Sequence, residues 1–160
     1  MAAEYNDWIA GDSNTVVFNA PARIVFDLVT QARFWPEWHV VSHGVGGVTE
    51  RPYRVGDVVY EYGVLEDGSE QHLYWRVVDQ EYAKSSFLID ERLGAGLQYL
   101  LAEDGDGLTS FTRRTLYGPD SPFTPAQRAI VAEASAESME GLRRHISALL
   151  EKEYGSLPVR

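Results

Sequence analysis

Residues 124–153 read TPAQRAIVAEASAESMEGLRRHISALLEKE and predict a long C-terminal helix. Thr124-Pro-Ala-Gln127 forms a capping box with proline at the first helical position. Apolar and small residues then recur about every four positions, at Ile130, Ala134, Ser138, Leu142, Ile146 and Leu149. A helix from Pro125 to about Glu153 is roughly 40 Å long at ~1.5 Å per residue. Small residues such as Gly141 let such a helix approach a curved sheet closely or leave space above it.

Upstream of this helix, residues 42–117 have the pattern of consecutive strands. Runs rich in aromatic and β-branched residues cover 58–65, 73–78, 86–89, 96–102 and 108–117. The runs are separated by the turn sequences Glu66-Asp-Gly68, Gly94-Ala-Gly96 and Asp104-Gly-Asp-Gly107. Asp-Gly supplies the positive φ angles that tight hairpins need, so the pattern predicts an antiparallel meander.

The N-terminal part predicts one strand and two short helices. Thr15–Phe18 is a β-rich run that ends at Asn19-Ala-Pro21, and proline favours a helix start because its missing N–H would be unpaired there. An apolar helical stripe follows at 24–29, and Pro36 marks a separate short helix or turn at 33–40.

The length of 160 residues predicts a single domain. We expect that domain to span residues 13–154. A flexible arm at 1–12 is expected before it and a short tail at 155–160 after it.

The composition excludes several function classes. There are no cysteines, so disulfides, thiolate metal sites and a cysteine nucleophile are excluded, and the lack of cysteine fits the cytoplasm. The net charge of −10 disfavours nucleic-acid binding and electrostatic docking to membranes. Residues 1–12 lack the regions of a signal peptide, and no apolar run approaches the ~20 residues of a membrane span. We therefore expect a cytoplasmic monomer or homodimer with a small-molecule partner, no nucleic acid and no membrane insertion.

Common cofactor motifs are missing from the sequence. There is no Gly-rich phosphate loop and no Gly-x-Ser-x-Gly nucleophile motif. His39 and His43 are four residues apart, but Gly44 and the expected start of a strand disfavour a helical metal face. We expect no metal and no cofactor.

Three local signatures resemble the START/Bet v 1-like (SRPBCC) superfamily. Phe18-Asn-Ala-Pro-Ala-Arg-Ile-Val-Phe-Asp-Leu-Val29 resembles its first strand and helix, Phe34-Trp-Pro-Glu-Trp38 its aromatic-Pro-x-Trp turn, and Val55-Gly-Asp-Val-Val59 the start of its third strand. The resemblance covers roughly residues 14–153 and is strongest to the polyketide cyclase/dehydrase and lipid transport branch.

This resemblance implies an α+β helix-grip fold. In that fold a curved antiparallel sheet of about seven strands wraps around the long C-terminal helix, and two short helices follow the first strand. It also implies a ligand cavity between sheet and helix.

Alternation along the last strand separates an aromatic face from a polar one. Phe111, Arg113 and Tyr117 share the aromatic face, which we expect to point into the cavity, whereas Arg114 points outward. A buried guanidinium needs an acidic partner or an oxygen-bearing ligand. Arg113 is therefore a candidate to polarise a ketone or hold a carboxylate, or else it pairs with a structural acid.

The short helix supplies a second set of candidates. The resemblance places Trp35, Trp38 and His39 at the border of the cavity. The tryptophans either bind the ligand or only plug the end of the sheet. His39 is a candidate general base because its ordinary pKa lies near neutrality, and the alternative is a structural histidine.

The register of the strand at 58–65 has two readings. With Val59, Glu61 and Gly63 inward, Glu61 is a candidate base or the partner of Arg113. With Tyr60 and Tyr62 inward, the tyrosines line the pocket with apolar rings and hydroxyl tips. The sequence leaves both readings open.

Further pocket-wall candidates come from the middle strands. They are aromatic residues expected on the inner face, namely Trp75, Phe87 and Tyr99. Each of them is alternatively a plain core residue.

The expected function is the binding of an apolar small molecule in the internal cavity. The first hypothesis is a cofactor-independent polyketide cyclase/aromatase or dehydratase. In it His39 or Glu61 moves a proton and Arg113 stabilises an enolate oxygen. The alternative is a non-catalytic protein that binds or transports a lipid or isoprenoid-type ligand.

Overall fold

Strand-forming runs joined by tight turns place neighbours in sequence beside one another in the sheet. The computed structural model describes residues 3–155. Its elements are β1 (Ile9–Phe18), α1 (Ala22–Val29), α2 (Trp35–Trp38), β2 (Ser42–Gly47), β3 (Val58–Val64), β4 (Glu70–Glu81), β5 (Ser85–Asp90), β6 (Ala95–Glu103), β7 (Thr109–Tyr117) and α3 (Pro125–Tyr154). Short 3₁₀ turns at Ala3–Tyr5 and Ala32–Phe34 precede β1 and α2.

The seven strands form one antiparallel sheet in the order β1-β7-β6-β5-β4-β3-β2. The sheet curves around α3, whose buried face carries Ser135, Ser138, Met139, Leu142, Ile146 and Leu150. The predicted helix-grip fold with two short helices after the first strand is confirmed. β1 returns to pair with β7, so the two edges of the sheet are β1 and β2.

The capping box at the start of α3 is confirmed. The Gln127 N–H donates to Thr124 Oγ1 over 3.2 Å, and the Thr124 N–H donates to Gln127 Oε1 over 2.9 Å. The two bonds satisfy backbone donors that a helix start otherwise leaves unpaired. They fix where the helix enters the sheet.

The N-terminal arm is part of the fold, which corrects the predicted boundary at residue 12. β1 begins at Ile9, and the rings of Tyr5 and Trp8 pack edge-on against Phe87 at 5.2 and 5.9 Å. These aromatic contacts cover the outer face of β5 and bury it. The predicted tail begins at Gly155, and its remaining residues 156–160 lie outside the described residues.

Phe87 therefore does not line a cavity, contrary to the prediction. Its ring belongs to the outer cluster with Tyr5 and Ile89, while Leu88 belongs to the main core. The sequence did not reveal this because all but the first residue of β5 are buried, so hydrophobicity does not separate its two faces.

Close contact between α2 and α3 depends on Gly141. A Cβ atom at this position would lie 2.7 Å from the Trp38 carbonyl oxygen. The Val40 N–H also donates to Ser138 Oγ over 3.0 Å, which joins the segment after α2 to the helix. Replacing glycine by alanine inside a helix normally stabilises it, but here the added methyl group meets backbone.

We predict that Gly141→Ala lowers the free energy of unfolding by about 1–3 kcal/mol, because α2 must shift to make room. Ser147→Ala, at an exposed position of the same helix, is the matched control and should leave stability unchanged or slightly higher. Urea denaturation of both variants measures the difference. A stabilised Gly141→Ala variant would show that the contact is not tight.

Candidate functional site

A cavity lies between α3 and the inner face of the sheet. Its closed volume is about 60 Å³, and about 510 Å³ when the open mouth is included. The wall is largely apolar and includes Leu65, Leu73, Trp75, Leu97, Phe123 and Val131. The closed space holds a few water molecules, so a larger ligand requires the side chains at the mouth to move.

Arg113 of β7 lies inside, as the alternation predicts, and lines the cavity. Its side chain is 9% exposed, and Nη1 donates to Ser135 Oγ of α3 over 3.0 Å. Nε has no hydrogen-bond partner among residues 3–155. A buried guanidinium bonded to one neutral hydroxyl retains most of its capacity to bind an oxygen.

Glu61 of β3 also points inward, which resolves the register left open by the sequence. The Trp75 indole N–H donates to Glu61 Oε1 over 3.1 Å. Burial raises the pKa of the Glu61 carboxyl, while the bond from Trp75 and the charge of Arg113 offset part of that rise. Glu61 is not itself a wall residue of the cavity but lies next to the wall residue Trp75. A carboxyl held in this way is a candidate proton carrier.

Tyr60 and Tyr62 lie on the outer face of β3 and do not line the cavity. The Tyr60 hydroxyl is 2.6 Å from His72 Nδ1, and the Tyr62 hydroxyl donates to Glu70 Oε1 over 2.8 Å. The interpretation that placed these tyrosines in the pocket is wrong. Their rings pack on neighbouring side chains of β4 while their hydroxyls stay at the surface.

His39 follows α2 and lines the cavity. Its Nδ1 accepts the Val41 N–H over 3.3 Å, while Nε2 is buried without a partner among the described residues. Burial and the charge of Arg113 hold the pKa of His39 well below 6.5. The neutral ring therefore carries its proton on Nε2 and presents a donor, not the base predicted from the sequence.

The two tryptophans of α2 form the support of the site. Trp35 and Trp38 are buried, and their rings pack edge-on against Tyr53 at 6.5 Å and His39 at 5.6 Å. Neither side chain lines the cavity. Their position matches the plug interpretation, and Trp38 holds His39 in place.

Three aromatic residues were predicted on the inner face of β6 and β7. Tyr99 and Phe111 are fully buried with ring centres 4.9 Å apart, and neither lines the cavity. Tyr117 lines it and lies under Arg128, whose guanidinium carbon is 4.3 Å from the ring centre. Burial raises the pKa of Tyr117 to about 12, so its hydroxyl stays protonated.

Asp12 is a polar residue of the interior that the sequence analysis missed. A register irregularity between Ala10 and Asp12 in β1 places Asp12 opposite Thr115. Both carboxylate oxygens are buried, beside Thr115 of β7 and Ser135 of α3. Burial raises the pKa of this carboxyl, and the charge of Arg113 offsets part of that rise.

A glycine inside a strand was the available signal for Asp12. A Cβ atom at Gly11 would lie 2.5 Å from the Tyr117 ring, so the bulge brings the backbone against that ring. Glycine within a strand pattern often marks a bulge, and bulges re-aim side chains. The signal conflicts with the prediction of a flexible arm at residues 1–12.

Two surface grooves adjoin the cavity. Val41, Leu65 and Ala134 line both the cavity and a groove beside α3. Gln71 and Phe123 line both the cavity and a second groove. Rotation of these shared side chains is the shortest way to open the cavity to solvent.

No group of three or more His, Asp or Glu side chains within residues 3–155 is arranged to hold a metal ion. In the same part of the chain, no helix is both long and apolar enough to cross a bilayer.

A family model described as polyketide cyclase/dehydrase and lipid transport matches residues 13–147. The chain belongs to this family. The match includes β1 from Ser13 onward and most of α3. No curated protein matches the chain significantly.

Solved structures share the helix-grip fold of this member of the polyketide cyclase/dehydrase and lipid transport family. A START superfamily protein from Mycobacterium smegmatis is 14% identical, with a TM-score of 0.68, over 86% of this chain and 97% of that one. Ara h 8.0201 is 13% identical at a TM-score of 0.59 over 85% and 96% of the two chains. Major latex-like protein 151 from Panax ginseng is 11% identical at a TM-score of 0.60 over 83% and 97%. Family and fold together suggest the binding of a hydrophobic ligand.

We predict that folding stability falls as the pH drops below about 6.5, because the unfolded chain protonates His39 while the folded chain keeps it neutral. This one group contributes up to about 1.4 kcal/mol per pH unit until the pH reaches its folded pKa. His39→Gln should show a weaker loss between pH 7 and 5 by urea denaturation.

His43→Gln is the matched control, since His43 is exposed, and it should retain the slope of the wild type. Nitrogen-15 NMR of the wild type should show the His39 proton on Nε2 at pH 6. A charged imidazolium at that pH would contradict the assignment.

Proposed function

We propose that this protein is a cofactor-independent cyclase or dehydratase of the polyketide type, acting on an apolar molecule that carries ketone groups. The observation that supports this best is the guanidinium of Arg113. It lines a largely apolar cavity, forms no ion pair with any described residue, and acts electrostatically on the Glu61 carboxyl.

Binding of a ketone oxygen would satisfy groups that the protein leaves unpaired. Arg113 Nε and His39 Nε2 are both buried donors without partners among residues 3–155. A carbonyl oxygen that accepts from them becomes more electrophilic, and its α-hydrogens become more acidic. Donors fixed in a dry site stabilise developing negative charge better than water does.

In this proposal Glu61 transfers the proton; it lies next to the wall residue Trp75 and reaches the substrate when that side chain moves as the cavity opens. Its carboxylate takes the proton from the carbon next to the bound carbonyl, and the C–H electrons form the enolate, whose oxygen stays on Arg113 and His39. The enolate carbon then attacks a second carbonyl carbon of the same molecule. The new alkoxide takes the proton back from Glu61, which yields a cyclic β-hydroxyketone, and loss of water from it gives the unsaturated ring. A raised pKa makes Glu61 a stronger base than an ordinary carboxylate.

The rest of the site controls geometry. The Trp75 indole fixes Glu61 Oε1, and the apolar wall folds a flexible substrate by shape. Orientation of two reacting groups within one molecule can supply several kcal/mol of the barrier. The ring that forms is then decided by which carbonyl reaches Arg113.

A non-catalytic carrier of a lipid or isoprenoid-type ligand is the second candidate, and the apolar wall supports it. A carrier needs only that wall, however. Burying Arg113, Glu61 and Asp12 costs free energy that a carrier of a purely apolar molecule does not recover. The placement of these groups favours the enzyme.

We predict that Glu61→Gln lowers kcat on a poly-β-ketone substrate by about 10²–10⁴-fold, the usual effect of losing a general base, while KM changes little. In the wild type, kcat/KM should rise with pH through a pKa above the ordinary ~4.3 of glutamate, because burial raises that of Glu61. The variant should lose this rise. Glu151→Gln, at the exposed C-terminal end of α3, is the control. Full activity of Glu61→Gln would refute the assigned base.

We predict that Arg113→Met reduces kcat/KM by roughly 10²–10³-fold and scrambles the regiochemistry of the products, because the enolate oxygen loses its main donor. Arg114→Met, on the opposite face of the same strand, is the matched control and should retain rate and product pattern. Product analysis by mass spectrometry measures both. A substrate that stays bound and unchanged in the wild type would support the carrier instead.

A further inference from the structure

Two carboxyl groups in the interior interact electrostatically with one guanidinium. Arg113 is the only Arg or Lys among the described residues that lines the cavity. Its charge acts on Asp12 on one side and on Glu61 on the other. The cation of the cavity thus interacts at longer range with two carboxyl groups before any ligand arrives, although it forms an ion pair with neither of them.

A bulge in β1 fixes the position of Asp12. The bulge after Ala10 brings the residue opposite Thr115, next to Ser135 of α3. Its oxygens are buried, and it is not a wall residue of the cavity. It therefore acts on a ligand through its charge rather than by contact.

The mouth of the cavity beside α3 is negatively charged, as Asp12 is. Here "acidic mouth" means the groove at Val41 and Leu65, whose rim carries Glu66, Glu133 and Glu137. No Lys or Arg lines this groove among the described residues. An anion approaching by this route meets three carboxylates first, which slows its association.

We propose that Asp12 is a specificity-determining residue that makes the cavity select neutral, carbonyl-bearing ligands over carboxylates. This rests on the proposed function only in taking the cavity as the ligand site. A ligand carboxylate on Arg113 would add a third negative charge to a single positive one. A ketone oxygen accepts the same hydrogen bonds without that repulsion.

The size of the effect follows from Coulomb's law. At an effective dielectric constant of about 20, repulsion between two unit charges in one buried site is large enough to change the affinity for an anion on the order of tenfold. A neutral ligand has no net charge for Asp12 to repel. Removing the charge of Asp12 should therefore change the affinity for one ligand class and not for the other.

The experiment compares acetophenone with benzoate, which have similar size and differ in charge. Binding is measured by NMR titration at pH 8 for the wild type, Asp12→Asn and Asp106→Asn. Asp106 lies in an exposed turn, so its variant makes the same change of net charge away from the cavity. We expect the wild type to bind acetophenone more tightly. In Asp12→Asn, benzoate should gain about tenfold and acetophenone should change less than about threefold, while Asp106→Asn matches the wild type.

Three results would overturn the proposal: a wild type that prefers benzoate, unchanged benzoate affinity in Asp12→Asn, or an equal gain in Asp106→Asn. If acetophenone still binds, any of these three results overturns the role of Asp12 but leaves the proposed enzymatic function standing. No binding of either compound to the wild type would overturn both proposals. If Asp12→Asn does not fold, Asp12→Ser removes the same charge and replaces it in the experiment. The preference of the wild type for acetophenone over benzoate tests the proposal without any variant.

Discussion

The hydrogen bond from Arg113 to Ser135 joins the sheet to the helix that it grips, across the cavity between them. One end of this bond is a permanent cation and the other is a neutral hydroxyl, so the charge is not neutralised where it is held. The neighbouring groups respond to that charge. It lowers the pKa of His39 and opposes the rise that burial causes in the pKa of Asp12 and Glu61. The chemistry of the interior is organised around this one guanidinium.

Small residues of α3 make that arrangement possible. Ser135 receives Arg113, Ser138 receives the backbone of Val40, and Gly141 lets the Trp38 carbonyl approach. A helix with large side chains at these positions would fill the cavity or push α2 away. The weakly apolar face seen in the sequence thus reflects a helix that must leave space and make polar contacts.

Most of the fold could be predicted because local signals agree with one another. The capping box, the Asp-Gly turns and the strand runs each specify a local conformation, and together they specify one architecture. The N-terminal boundary could not be predicted, since Tyr5 and Trp8 are ordered by long-range packing on Phe87. Local propensity carries no information about such a contact.

The site was less predictable than the fold. Alternation placed Arg113 correctly because Arg113 shares one face of β7 with the aromatic residues Phe111 and Tyr117, and that face is buried. It failed at β3, where Tyr60 and Tyr62 look like core residues but stay at the surface, and at β5, which is buried on both faces. The tautomer of His39 depends on the Val41 N–H, and the inward turn of Asp12 depends on a bulge. Both are details of three-dimensional geometry that a residue pattern does not contain.

The proposed function requires that Arg113 and His39 bind the oxygen of a carbonyl ligand inside a largely apolar cavity. Infrared difference spectroscopy of acetophenone bound to the protein tests this directly, because hydrogen bonds to the oxygen lower the C=O stretching frequency. We expect a frequency well below that of acetophenone in hexane for the wild type, and a return toward the hexane value in Arg113→Met. A hexane-like frequency in the wild type would contradict it.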